Sequence, residues 1–254
     1  MDDAETLLIR AQTLLESDQL TKAEAVVDDL LQSFPDHGPA WAFKGDLCHR
    51  RSDHQGCLDA LEAASLRMEL SADTQLQLAE CYAKVGRCDL AKWLLRDVPA
   101  KPDCTDGNVM KTAAALGRLG ESALALDLCL LVHRRSPHRH EAAFGVAYYM
   151  NRIGKEASEV VPYLRAAYEL APDNVMYRVS LALCLDRLQR TEEAYRVVAD
   201  LDLHRVEWPH CLMRLMEIFA SAGDQSRYLD CQARMMHLGD PKAETGRNGD
   251  PERQ

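Results

Sequence analysis

The stretch that decides the fold is Asn108–Pro137, NVMKTAAALGRLGESALALDLCLLVHRRSP. On either side of Gly120, apolar residues recur every three or four positions, which is the spacing of an amphipathic helix. Gly120 can end the first helix because glycine accepts the left-handed backbone that commonly follows a helix. Pro137 stops the second helix because proline cannot continue one. The stretch therefore predicts two helices joined by a tight turn.

The same pattern recurs along the chain with a period of 34 residues. Four kinds of residue share this period, apart from one-residue insertions in the later part of the chain. They are the glycines Gly86, Gly120, Gly154 and Gly223, the small residues Ala23, Cys57, Ala91, Ala125 and Ala194, the cations Arg50, Lys84, Arg118, Arg152 and Arg187, and the prolines Pro35, Pro137 and Pro172. No window shows the strict alternation of a strand, so we expect no β-sheet.

A 34-residue helix–turn–helix unit with these small and large positions resembles the tetratricopeptide repeat (TPR). Residues that this family prefers include Trp41 and Gly45 in the second repeat and Tyr82 and Gly86 in the third. The resemblance covers seven repeats, near 4–37, 38–71, 72–105, 106–139, 140–174, 175–208 and 209–240. Repeats one, two and six lack the glycine between their helices, and the seventh has Tyr228 where alanine is usual.

The resemblance implies an all-α fold, a right-handed superhelical solenoid of about seven antiparallel helix pairs. In this family the first helix of each pair lines a concave groove. We assign residues 1–238 to the repeat domain. Residues 239–254 contain three Gly, two Pro and no large apolar residue, so we predict a disordered tail there.

Composition and charge limit the classes of function. The chain has 254 residues, of which 47% are apolar, so it is not disordered as a whole. Its net charge of −10 disfavours non-specific nucleic-acid binding. The charge is uneven, because residues 1–105 carry 19 acidic and 11 basic side chains while residues 106–238 carry 17 and 16. We therefore expect an anionic partner segment towards the later repeats and a basic one towards the first.

The nine cysteines are interpreted as reduced thiols of a cytoplasmic protein. The amino terminus shows no pattern of a signal peptide, no apolar run is long enough to span a membrane, and the number of cysteines is odd. Cys57, Cys81, Cys129 and Cys184 fall at small or apolar positions of the repeat, so we expect them to pack in the core. Cys104 and Cys48 lie in a loop and near a helix end, and are the candidates for exposed thiols.

No pattern of catalytic or metal-binding residues stands out. The densest histidine cluster, His133–His140, straddles a helix end, a proline and a helix start, so its cations more simply complement a helix dipole than bind a metal. Contact of Arg134, Arg135 and Arg139 with an anion is a minority alternative. We expect no enzyme activity, no metal and no cofactor.

The resemblance places side chains of the first helices on the groove wall. The expected partner-binding residues are Phe43, Asp46, Arg50, Lys84, Met110, Lys111, Arg118, Phe144, Tyr148, Arg152, Arg187 and Arg214. Five of these form what we call the basic ladder: Arg50, Lys84, Arg118, Arg152 and Arg187. Two interpretations of the ladder stay open. Each cation can complement the dipole of its own helix, or the ladder can attract carboxylates of an acidic peptide.

Some members of this family bind a C-terminal carboxylate through a clamp of lysine and asparagine. At the matching positions this chain has Leu8 and Gln12, Ala42 and Asp46, and Asp73 and Gln77, so the clamp is absent. Other first-helix positions are apolar and indicate a groove suited to an amphipathic helix or a folded surface. These apolar positions are Leu8, Phe43, Met110, Phe144, Val179 and Met213.

The sequence therefore predicts a non-catalytic scaffold or adaptor that binds a peptide, helix or folded protein in its groove. An RNA-binding helical-repeat protein and a self-associating assembly factor, with a homodimer as its simplest form, are the alternatives. Nucleic acid is disfavoured and no membrane insertion is expected. The sequence does not identify the partner.

Overall fold

The structure is a computed structural model that describes residues 3–239. These residues form fourteen α-helices and no strand. The helices are α1 (Ala4–Glu16), α2 (Leu20–Ser33), α3 (Gly38–Arg50), α4 (His54–Ser65), α5 (Ala72–Lys84), α6 (Cys88–Asp97), α7 (Asp106–Arg118), α8 (Ser122–Arg135), α9 (His140–Arg152), α10 (Ala157–Leu170), α11 (Val175–Arg187), α12 (Thr191–Val198), α13 (Pro209–Ser221) and α14 (Gln225–Gly239). Short 3-10 helices follow α6 at Val98–Ala100 and α12 at Leu203–Arg205.

Each sequence repeat contains one odd-numbered and one even-numbered helix, which we call its first and second helix. The all-α helical-repeat fold class is thus confirmed. The first residue assigned to the disordered tail, Gly239, is the last residue of α14, and residues 240–254 lie outside the described part of the chain. No helix within residues 3–239 combines the length and the apolar character that a membrane span requires.

The chain divides into two compact blocks, with the boundary between Leu128 and Cys129, inside α8. In the first block, α1 to α6 pack against one another in chain order, and α7 packs on both α5 and α6. In the second block, α9 to α12 also pack in order, α13 contacts α11 and α12, and α14 packs on α13. Each helix therefore contacts near neighbours in the sequence, as in repeat proteins generally.

The small residues that repeat every 34 positions lie in the buried core. Ala23, Cys57, Ala91, Ala125 and Ala194 are all 0% exposed. A larger side chain at such a position would push the helices apart. Helices also approach closely at Gly45 in α3, where an added Cβ atom would overlap Cδ2 of Leu61 in α4.

The turn between the two helices has one residue in the left-handed conformation in all seven described pairs. In four pairs this residue is the glycine that the sequence pattern indicated, with φ between 76° and 87°. In repeats one, two and six, which lack the glycine, Asp18, Ser52 and Gln189 adopt φ values of 57° to 60°. The turn geometry is therefore kept in these repeats at the conformational cost of a side chain in this region.

Substitutions in these turns should change stability with opposite signs. Gly154→Ala is expected to lower the free energy of unfolding by about 1 kcal/mol, since alanine disfavours a positive φ. No neighbouring atom lies within 4 Å of the added methyl group, so the cost is conformational. Gln189→Gly is expected to raise the same free energy by up to about 1 kcal/mol. Urea unfolding followed by circular dichroism measures both changes.

Gly107→Ala provides the control, because Gly107 lies inside α7 and its added Cβ atom would make only an ordinary 3.4 Å contact with Thr105 Oγ1. Alanine there should be neutral or stabilising. An equal loss of stability in Gly107→Ala and Gly154→Ala would contradict the explanation by backbone conformation.

Candidate functional site: the first-helix face

All five cations of the basic ladder stand at the same place in the fold. Each is the last residue of its first helix, in α3, α5, α7, α9 and α11. A cation at this position complements the negative end of the helix dipole. The dipole interpretation therefore accounts for the spacing of the ladder, and its role in binding depends on what else each cation contacts.

In the first block most of these cations face carboxylates. Arg50 Nε lies 3.3 Å from Oδ2 of Asp46, and Arg118 lies 3.6 Å from Oε1 of Glu80. Lys111, another predicted site residue, lies 3.3 Å from Oδ1 of Asp73. These ion pairs are exposed and contribute little stability, but they neutralise the charge that a ligand would meet.

Lys84 differs from its neighbours in the ladder. Its Nζ lies 3.4 Å from Nδ1 of His54 on the preceding second helix. Phe43 and Met110 are half-buried, and Phe43 packs against the core cluster around Leu30 and Leu47. The first block therefore offers few free charges and little apolar surface among its predicted site residues.

A cavity of about 200 Å³ lies on the first-helix face of the first block. Its lining carries both signs of charge and residues that the sequence had placed on the groove wall. The lining residues are His49, Asp73, Leu76, Gln77, Glu80 and Lys111. Gln77 also donates a hydrogen bond to Asp46 at 3.3 Å, so the polar groups here are engaged with one another.

In the second block two ladder cations have neutral partners. Arg152 donates to the hydroxyl of Tyr148 at 3.5 Å, and Arg187 donates to Oδ1 of Asn151 at 3.4 Å. No carboxylate within the described part of this block pairs with either guanidinium. Arg214 differs, because it pairs with Asp186 at 3.1 Å and with Glu217 at 2.9 Å.

A cluster of aromatic rings includes Tyr148, the partner of Arg152. The ring centroids of Phe144 and Tyr177 are 4.7 Å apart, and those of Phe144 and Tyr148 are 6.5 Å apart. Tyr177 is 5% exposed, and its hydroxyl lies 2.9 Å from Nδ1 of His140; burial raises the pKa of this phenol. Tyr148, by contrast, is 47% exposed. Tyr177 is thus the buried ring of the cluster, and Tyr148 is its solvent-exposed ring.

Two predicted groove residues are misplaced. Leu8 and Val179 were expected to present apolar side chains to a partner, yet they are 5% and 2% exposed and belong to the core. Met213, also predicted there, is 51% exposed. The helical spacing places these residues on the same side of their helices, but only the packing of neighbouring helices decides which of them are covered.

Asn151 and Tyr177, which contact Arg187 and Phe144, were not predicted as site residues. Asn151 directly precedes Arg152, so its position next to the basic ladder could have identified it as a candidate site residue. The sequence pattern does not mark Tyr177 as a site residue, because an aromatic residue at helical spacing is ordinarily a core residue.

A second missed feature lies in the first block, away from the basic ladder. A cavity of about 380 Å³ is lined by residues of α4 to α6 and their loops, among them Trp93, Leu90 and Tyr82. Trp93 is 69% exposed, and Leu90 is 46% exposed. Tyr82 donates to Oε1 of Glu62 at 2.8 Å, and its pKa rises to about 12 because of burial and this carboxylate.

The cysteines at repeat positions are buried, as the sequence predicted. Cys57, Cys81, Cys129 and Cys184 are all at most 3% exposed. Burial raises the pKa of Cys129 to about 12, so this thiol stays protonated at neutral pH. Cys48 and Cys104 are half-buried, whereas Cys88, which the sequence analysis did not single out, is exposed.

The histidine cluster is divided among separate contacts. His133 packs edge-on against Tyr163 with ring centroids 5.5 Å apart, while His140 contacts Tyr177. Within residues 3–239 no three histidine, cysteine or acidic side chains are grouped so that they could hold a metal ion.

Comparisons with known proteins identify the fold. No protein-family model matches the sequence, and no curated protein matches it significantly. The C-terminal part of a TPR repeat-containing protein from Cytophaga hutchinsonii has a TM-score of 0.71 at 11% identity, covering 94% of this chain and 98% of that chain. A TPR protein from Parabacteroides merdae has a TM-score of 0.64 at 12% identity, covering 96% of both chains.

A third similar structure is YrrB, described as a TPR protein with an unusual peptide-binding site. Its TM-score is 0.61 at 18% identity, with coverage of 69% of this chain and 90% of that chain. All three similarities concern tetratricopeptide-repeat proteins, so the chain has the TPR fold and the resemblance inferred from the 34-residue period is confirmed at that level. Because the identities are this low, the similarity describes the fold alone.

Substitutions of the two tyrosines of the aromatic cluster should lower the free energy of unfolding by different amounts. Tyr177→Ala is expected to lower the free energy of unfolding by about 3 kcal/mol, because a buried ring and its hydrogen bond to His140 are lost. Tyr148→Ala should cost less than about 1 kcal/mol, since nearly half of that side chain is already in water. Urea unfolding of the two variants measures the difference, and equal losses would show that Tyr148 is a core residue.

Proposed function

We propose that the chain is a non-catalytic protein-interaction scaffold that binds an acidic peptide segment on the first-helix face of its second block. One observation carries the proposal: Arg152 and Arg187 lie on adjacent first helices and have neutral partners, Tyr148 and Asn151, beside an exposed aromatic ring. Arginine and tyrosine side chains are enriched in protein–protein interfaces.

The charges favour an anionic ligand. Arg187 contacts Asn151, the residue that precedes Arg152, so the two guanidinium groups belong to one local surface. A carboxylate can accept two parallel hydrogen bonds from a guanidinium, which gives both attraction and orientation. The exposed ring of Tyr148 adds apolar contact area next to these groups.

The first block is less suited to such a ligand. Its ladder cations Arg50 and Arg118 already face carboxylates, and residues 1–105 carry eight more acidic than basic side chains. An acidic segment would have to compete with Asp46 and Glu80 and would meet repulsion from the rest of this region. The proposed site is therefore limited to the second block.

The solved TPR structures support the proposal by analogy of fold. YrrB is described as having a peptide-binding site, and its structure is similar to most of this chain. Binding by a pre-formed helical surface needs no catalytic group, which agrees with the absence of a recognisable catalytic motif in the sequence. The cytoplasmic location and the lack of enzymatic activity stay predictions, as do the alternatives of RNA binding and self-association.

Selection from a randomised peptide library displayed on phage tests the proposal with the full chain as bait. Enriched peptides should contain Asp or Glu next to an apolar residue, and binding should weaken as salt is raised from 50 to 300 mM, on the order of tenfold for two contacts between exposed charges. Arg152→Glu/Arg187→Glu should reduce the affinity for an enriched peptide at least about tenfold, because two attractive contacts become repulsive. Fluorescence anisotropy measures both effects.

The matched control is Arg196→Glu, which reverses an exposed charge on the second helix α12, where Arg196 pairs only with Glu192 in the described contacts. This variant should bind the enriched peptides like the parent chain. Enrichment of basic or neutral peptides, or equal losses in the control and the double variant, would rule out the proposed site.

A further inference from the structure

Two buried thiols are in direct contact in the first block. Cys57 lies in the first turns of α4 and Cys81 in the last turn of α5, and their Sγ atoms are 3.1 Å apart, with Cys81 donating to Cys57. The two side chains are 0% and 1% exposed. A disulfide bond needs the sulfur atoms at about 2.05 Å, so these atoms must approach each other by about 1 Å.

The repeat itself brings these atoms together. Cys57 occupies the small position that is alanine in repeats one, three, four and six, and Cys81 occupies the position that is Leu47 in the preceding first helix. At the equivalent positions one repeat earlier, Ala23 and Leu47 belong to one core cluster. Among the described repeats, only the second and third place cysteine at both positions.

Two polar side chains lie one turn nearer the helix ends. His54 precedes Cys57 by three residues, Lys84 follows Cys81 by three, and Lys84 Nζ lies 3.4 Å from His54 Nδ1. The antiparallel helices therefore place this contact next to the sulfur pair. The charge of Lys84 favours the thiolate form of Cys81.

The contact between the sulfur atoms also makes the pKa values of the two thiols differ. The pKa of Cys81 lies below its ordinary value, first because Cys57 can donate a hydrogen bond to the Cys81 thiolate and also because of the Lys84 charge. The pKa of Cys57 is raised, because its own ionisation would lose that hydrogen bond and add a second buried charge. The pair is therefore asymmetric, with one thiolate-forming and one thiol-retaining sulfur.

We infer that Cys57 and Cys81 form an oxidisable dithiol whose disulfide joins the second and third repeats. With a hydroperoxide as oxidant, the Cys81 thiolate attacks one peroxide oxygen, the O–O bond breaks, and Cys81 becomes a sulfenic acid as water or an alcohol leaves. The Cys57 sulfur then attacks the Cys81 sulfur, the S–O bond breaks, and the hydroxyl leaves as water with the Cys57 proton. Two thiols lose two electrons and the peroxide gains them.

The position near the helix ends provides access to a small oxidant. Lys84 is exposed, and the pair lies within one turn of the ends of α4 and α5, where local opening is easiest. The other buried cysteines do not share this arrangement. Cys184, at the same repeat position as Cys81, donates instead to the carbonyl of Ala157 at 3.6 Å.

Oxidation would make the second and third repeats of the first block more rigid. The disulfide would link two helices whose cysteines are 24 residues apart and would remove the freedom of α4 and α5 to separate. Both helices lie within one compact block, so the link fixes the packing of two neighbouring repeats. A more rigid second and third repeat is the expected result.

Peptide mapping of the oxidised full chain tests the inference. The reduced protein is treated with hydrogen peroxide, remaining thiols are alkylated after denaturation, and a non-reducing digest is analysed by mass spectrometry. A cross-link between Cys57 and Cys81 is expected, with the loss of two hydrogen atoms. The melting temperature should rise by about 5 °C and return with dithiothreitol. Amide exchange in α4 and α5 should slow.

Cys81→Ala and Cys184→Ala are the matched variants, because both remove a buried thiol from the same repeat position. The rise in melting temperature should vanish in Cys81→Ala and persist in Cys184→Ala. Alkylation of Cys57 and Cys81 after oxidation, or cross-links confined to Cys48, Cys88 and Cys104, would overturn the inference. The mapping uses the unmodified chain, so it decides the question even where a variant folds poorly.

Discussion

The fold depends on one constraint, the close approach of helices at small buried side chains. Ala23, Ala91 and Ala125 are completely buried at equivalent positions, and larger side chains there would separate the helices. A single pair of helices cannot bury its apolar stripe, so each pair gains stability by packing on the next. The same requirement for a small residue accepts cysteine at Cys57, which is how a packing position acquires the capacity for redox chemistry.

Chemical differences between the repeats arise from what surrounds equivalent positions. The ladder cations have the same place at their helix ends, yet Arg118 faces a carboxylate while Arg152 and Arg187 face a hydroxyl and an amide. A uniform backbone therefore carries ladder cations paired with carboxylates in the first block and ladder cations with neutral partners in the second. The position is set by the helix, and the function of the cation is set by its neighbours.

The sequence predicted the repeat, its helices and most of its turns because these follow from local spacing. It also placed Tyr148 and Arg152 on one face, since residues four apart on a helix are neighbours. It wrongly offered Leu8 and Val179 as groove residues, because helical periodicity does not reveal which face the next helix covers. The left-handed turns at Asp18 and Gln189 were hidden for another reason, because the glycine that usually indicates this conformation is absent there.

By itself, the sequence determined the all-α helical-repeat fold class, the length of the repeat and the acidic character of the first part of the chain. These properties depend on composition and on a period of 34 residues, which can be counted along one dimension. Tertiary structure decided which charges are neutralised, which aromatic ring is exposed and which two sulfur atoms touch. Such pairings join residues on different helices, and distances between helices are set only when the side chains pack.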